Sequence, residues 1–143
     1  MKVYLASRFS RASELLGYKA ELERHGVEVT SRWLLGGHEW AGTDDEQLPV
    51  DVGERFARED LEDLIAADVV VCFTEAPRSG PSRGGRHVEF GYALAMGKEL
   101  FVCGPAENVF YCLDSVRLHE TWETVLERIA LRCGFPAPLV AAS

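Results

Sequence analysis

The run Gly84-Gly85-Arg86-His87-Val88-Glu89-Phe90-Gly91-Tyr92-Ala93-Leu94-Ala95 puts two glycines ahead of a helix and a carboxylate just inside it. Glycine lets a backbone turn tightly and approach a ligand closely. A first helical turn has unpaired N–H groups and the positive end of the macrodipole, which suits an anion or a phosphate and keeps a nearby glutamate ionised. An ionised, positioned Glu89 is a candidate nucleophile; a glutamate there also serves simply to complement the dipole. Arg83 and Arg86 flank the same turn, and Arg8 and Arg11 lie in the loop after the first apolar run. Arginine suits bidentate phosphate recognition, so these four point to a phosphorylated small substrate. The alternative is that they pair with the chain's many carboxylates. Trp33 either stacks on a ligand ring or fills the edge of the core, and Trp40 reads as part of a lid. His38 and His87 read as surface histidines.

The elements that would hold these groups alternate. Lys2 to Ala6 reads as a buried strand, followed by a loop in which Ser10 is the expected cap of a helix over Ala12–Arg24. Gly26 ends that helix, and Val27 to Trp33 reads as a second strand. Leu34 to Pro49 is a long irregular stretch, of the length that often carries function. Val50 to Ala67 has helical periodicity, and Asp68 to Thr74 is apolar nearly throughout, as a central parallel strand would be. After a Pro/Ser/Gly loop come the Glu89 helix, closed by Gly97, a strand over Glu99–Cys103, an irregular connection, a short strand near 115–118 and a helix from Thr121 to Cys133. The tail from about 134 is read as irregular. The expectation is one α/β domain over residues 1–143, Rossmann-like or flavodoxin-like, with a mostly parallel five-stranded sheet flanked by helices. Ligands of such sheets sit at the carboxyl ends of the strands. Ala6, Ser7, Arg8, Arg11 and Gly85 then share an edge with the loops after Trp33, Thr74 and Cys103.

Composition narrows the function. The chain has 143 residues, 47% apolar, and a net charge of −8, so it can bury a core and makes a poor general binder of nucleic acid. Cys72, Cys103, Cys112 and Cys133 form no CxxC pair and read as reduced, structural thiols. There is no dinucleotide fingerprint after the first strand, no P-loop, no nucleophile elbow and no His/Cys cluster with metal spacing. Neither a signal peptide nor a membrane span is read, and a cytoplasmic location is the default expectation. No metal or cofactor is expected.

Three stretches carry a resemblance: Val3-Tyr4-Leu5-Ala6, the run from Asp60 to Val71, and Gly85 to Lys98, of which Glu89-Phe90-Gly91-Tyr92-Ala93-Leu94-Ala95-Met96-Gly97-Lys98 is the most specific. Together they resemble the nucleoside 2-deoxyribosyltransferase family, which includes deoxynucleotide N-hydrolases and CMP glycosidases. The likeness runs from Lys2 to about Ile129. It implies that Glu89 attacks the anomeric carbon to form a glycosyl-enzyme, that Asp60 helps protonate the leaving base, and that Tyr4 contacts the nucleophile or the sugar. It also implies a homodimer in which Asn108 of a neighbouring subunit completes the site. The substrate would be a nucleoside or a nucleoside 5′-monophosphate, with water or a second base as acceptor. Arg83 stands where transferases of free nucleosides carry an acid and where phosphate-preferring hydrolases often carry a serine. The competing reading is a non-catalytic nucleotide-sensing module that uses the same pocket; such a module would be expected to lose one of Glu89, Asp60 and Tyr4, and all three are present.

Overall fold

Val3, Tyr4, Leu5 and Ala6 are all buried, and a strand apolar on both faces must lie inside a sheet covered on both sides. In the computed structural model, which describes residues 1–36, 48–77, 79 and 83–136, Lys2–Ala6 (β1) does so. It pairs in parallel with Glu28–Val29 (β2) on one side and Val69–Phe73 (β3) on the other. Glu99–Cys103 (β4) and Val116–His119 (β5) extend the sheet, again in parallel, to give the order β2-β1-β3-β4-β5. The expected α/β fold is therefore present, with every pairing parallel. The chain leaves β1 first to one side and then to the other, so the strand order reverses between β1 and β3, where open sheets of this kind bind ligands.

The register assigns the two faces. Tyr4 is level with Val70, and Ala6 with Cys72 and Val102; this face is covered by Val50–Ala66 (α2) and Gly85–Ala95 (α3). On the opposite face Phe73 packs against Tyr18 of Ala12–Arg24 (α1) and Trp122 of Trp122–Cys133 (α4), with ring centroids 5.5 and 6.0 Å away. Tyr18 stacks on Trp122 at 4.5 Å, and the Trp122 indole N–H donates to Glu21. Each fully buried Leu, Val or Phe of these two layers contributes about 1.5–3 kcal/mol.

Three local expectations need correction. The second strand is two residues long, because Arg32–Leu35 winds into a 3₁₀ turn instead of continuing extended. That turn is held by buried Asp63 of α2, whose carboxylate accepts from Arg32 N–H at 2.8 Å and Arg32 Nε at 2.7 Å. Ser10 caps nothing: it lies inside a 3₁₀ turn, Phe9–Arg11, that runs directly into α1, with no side-chain cap at either start. The last helix does have its cap, with Thr121 Oγ1 accepting from Thr124 N–H. Trp40 and His38 lie outside the described residues, as does the tail beyond 136. All four cysteines are free thiols; Cys72 and Cys103 are buried in the sheet as expected, whereas Cys112 and Cys133 are exposed.

Candidate active site

Tyr4 of β1, Asp60 of α2 and Glu89 of α3 meet on the face of the sheet beneath α2 and α3. The phenol is wholly buried; its hydroxyl lies near enough to the Glu89 carboxyl for each to perturb the other, and no regular hydrogen bond satisfies it among the described residues. Each group perturbs the others. Burial first, and then the nearby Asp60 charge, push the Glu89 carboxyl up to about 8, against the milder opposing pull of the Tyr4 hydroxyl. Burial again, and then the charges of Asp63 and Glu59, raise Asp60 to about 7, with Arg32 pulling the other way. Tyr4 is pushed well above its ordinary value by burial and by the two carboxyls, so its proton stays in place. Cys72, the next residue on this face of β3, is raised by burial and by Glu89, and remains a thiol.

The expectation that a helix start keeps Glu89 ionised is overturned. Gly84 takes the left-handed conformation, φ +83°, and opens α3, but Glu89 lies beyond the first turn, which holds no acidic residue. The helix-end field fades within one turn, so desolvation dominates. Two carboxyl groups of elevated proton affinity then lie beside a buried phenol. Such a pair shares protons around neutrality, one group available to bond and the other to donate.

The arginines expected at a phosphate are mostly engaged. Arg8 Nε and Arg11 Nη1 both reach Glu75 Oε1, at 3.3 and 3.0 Å. Arg11 also binds Glu14 through Nε at 2.6 Å, donates to the Thr74 carbonyl and covers the Phe73 ring. Arg86 is buried on α3 and bound to Glu107 by two contacts, Nη2 at 2.6 Å and Nε at 3.2 Å. Arg83 and Gly85 are exposed at the α3 start. Ala6 ends β1 inside the core, and Ser7 Oγ donates to the Arg8 carbonyl. Trp33 fills the core edge: its ring lies near Phe9 and its indole N–H donates to the Leu5 carbonyl at 2.9 Å. Asn108 is exposed, and its Oδ1 caps the 3₁₀ turn Val109–Cys112 by accepting from Phe110 N–H.

The structure adds groups that spacing did not reveal. Glu75, Glu107 and Tyr111 are the partners of Arg8 and Arg11, of Arg86, and of His87 respectively. His87 is no plain surface residue, since its Nδ1 lies 2.9 Å from the Tyr111 hydroxyl. The loops do converge on one edge: Thr74 N–H donates to the Cys103 carbonyl, and Gly104 packs so closely on Thr74 that an added Cβ would sit 2.4 Å from its Oγ1. No group of metal-ligating side chains occurs among the described residues, and no described helix is long and apolar enough to cross a membrane.

No protein-family model matches the chain, and no curated protein matches it. Solved structures do. A 2-deoxyribosyltransferase from Bacillus psychrosaccharolyticus superposes with a TM-score of 0.67 at 20% identity, over 97% of this chain and 100% of that one. The CMP N-glycosidase BcmB of Clostridium botulinum superposes with a TM-score of 0.56 at 19% identity, over 92% and 99% of the two chains. The fold is thus shared over whole chains with two proteins of the kind the sequence resembles.

Proposed function

We propose that this protein cleaves the N-glycosidic bond of a nucleoside or nucleoside 5′-monophosphate through a covalent Glu89 intermediate. The observation that carries the reading is the closeness of Tyr4, Asp60 and Glu89, drawn from three separate elements and each perturbing another's proton affinity. The superposed deoxyribosyltransferase and CMP N-glycosidase support it. Bond breaking builds oxocarbenium character at the anomeric carbon. Glu89 holds its proton more tightly than Asp60, so the reacting form is the less populated one in which the shared proton sits on Asp60; its ionised Glu89 stabilises that charge and then bonds to the carbon, as the carboxylate of a retaining glycosidase does. Asp60, its proton affinity raised, donates a proton to the departing base. The Tyr4 hydroxyl keeps its proton and steadies the attacking carboxylate. Water then releases the sugar, or a second base takes it.

The pairing of Arg8 and Arg11 with Glu75, and of Arg86 with Glu107, weakens the sequence argument for a phosphate. Free nucleosides therefore belong beside monophosphates as candidate substrates. The test is a panel of ribo- and deoxyribonucleosides and their 5′-monophosphates, with and without an acceptor base, read by chromatography. Base release without acceptor identifies a hydrolase, and exchange that needs one identifies a transferase. Mass spectrometry of the stalled enzyme should find the sugar on Glu89. If Glu89→Gln turns over every substrate as fast as the parent, the catalytic assignment fails, and a nucleotide-binding role for the pocket takes its place.

A further inference from the structure

The connection between β4 and β5 is fastened to the first turn and a half of α3 at three points. Glu107 grips buried Arg86 through two contacts. Tyr111, itself 1% exposed, lays its ring on Phe90 with centroids 4.0 Å apart and planes 21° apart. The Tyr111 hydroxyl reaches His87 Nδ1 at 2.9 Å, while His87 Nε2 faces Glu107 at 3.8 Å. Burial, with help from Cys72 and Glu107, raises the Tyr111 hydroxyl, so it holds its proton. The natural tautomer therefore has Nε2–H towards Glu107 and Nδ1 accepting from Tyr111. Arg86, His87 and Phe90 surround Glu89 in sequence, and Arg86, Glu89 and Phe90 lie on one stripe of the helix at spacings of three and four.

We propose that Arg86, Glu107, His87 and Tyr111 form a clamp that sets the rotation of α3 about its axis and so aims the Glu89 carboxyl. They are positioning residues, and Arg86 serves here rather than as a phosphate ligand. The leverage is geometric. A side-chain atom about 5–6 Å from a helix axis moves about 1 Å when the helix turns by roughly 10°, and a misplacement of about 1 Å at a reacting group can cost about 100-fold in rate. A clamp that acts through Glu89 and not on the substrate should, when lost, show on kcat and not on KM. The proposal rests on Glu89 being the reacting carboxyl.

Tyr111→Phe keeps the ring stack and removes only the hydroxyl; Glu107→Gln keeps the shape and removes the charge. Both should lower kcat about 10- to 100-fold with KM nearly unchanged. The losses should not add in the double variant, since one clamp is broken. Ile129→Val, in the core of the opposite face, serves as control; it should lower the melting temperature by a comparable amount and leave kcat alone. A second readout is independent of turnover: the carboxyl titration of Glu89, followed by carbon NMR, among Tyr4, Asp60 and Cys72. In Tyr111→Phe its midpoint should fall towards that of an ordinary glutamate as the carboxyl swings towards water. A parent that turns over no substrate but whose titration responds to Tyr111→Phe would sink the enzymatic reading and keep the clamp. An active parent whose kcat and Glu89 midpoint are both unmoved by the two variants would overturn the clamp.

Discussion

At Glu89 two local fields compete, and burial wins. A carboxyl pushed up to about 8 beside another at about 7 titrates as a pair, and of its two singly protonated forms the one with the proton on Asp60 is able both to attack and to donate. A bell-shaped kcat/KM profile follows, with limbs near pH 7 and pH 8. Below the first limb both groups hold protons and no nucleophile remains; above the second no proton is left for the leaving base. Initial rates across pH 5.5 to 9.5 test this, and a flat profile would contradict it. Stability runs the same way. A raised carboxyl favours the folded state fully below its ordinary value near 4.5 and loses that contribution as pH climbs towards 8. Glu89→Gln should therefore gain on the parent with rising pH, reaching roughly a few kcal/mol by pH 8.5. Urea unfolding of both at pH 5 and pH 8.5 measures it. Glu89 was legible in the sequence because two glycines precede it, whereas Asp60 was not, sitting among Glu59, Glu62 and Asp63 in a helix that reads as solvated charge. Its candidacy came from family resemblance, and its burial could only be seen once α2 lay over the sheet.

Among the elements, the strands that are apolar on both faces were the easiest to read, and β1, β3 and β4 fall where hydrophobic runs place them. The failures share a cause: long-range partners. Val27 to Trp33 starts with the alternation of a strand, Val27 and Val29 apolar, yet Asp63, some thirty residues beyond Arg32, captures the Arg32 backbone and side chain where the chain winds into its turn. Ser10 has the chemistry of a cap, but the preceding turn already supplies the helix start. Arg8 and Arg11 resemble a phosphate cradle until Glu75 arrives from the far side of the strand-order reversal. At the carboxyl ends of β3 and β4 the contact is closer still. Gly104 combines φ +126° with an approach to Thr74 that leaves no room for a methyl group, the nearest backbone oxygen lying 3.0 Å away. Gly104→Ala should cost about 2 kcal/mol or more, from the disfavoured backbone together with overpacking. A melting curve unchanged by this substitution would mean that the two loops part more easily than their packing implies.

For the whole molecule, the parallel five-stranded sheet flanked by helices agrees with the sequence reading, while its order β2-β1-β3-β4-β5 emerges only from the pairing. Val88, Tyr92 and Met96 leave a stripe of exposed apolar side chains along α3, and Phe110 is exposed on the connection that carries Asn108. The resemblance implies a dimer that shares Asn108 between subunits. Such a dimer predicts complementation: Glu89→Gln and Asn108→Ala chains, each impaired alone, should recover activity when unfolded and refolded together, because one hybrid site has both residues intact. Recovery no greater than the sum of the separate activities would rule that arrangement out.

The central position of β1 also governs the order in which the chain is built. Lys2 pairs with Asp68, 66 residues away, and among the described residues the strand that β1 pairs with before β3 is the two-residue β2. During synthesis at about 5–20 residues per second, β1 waits several seconds for β3. Through that interval Val3, Tyr4 and Leu5 have only β2 to pair with, and Tyr4 has neither α2 nor α3 to cover it.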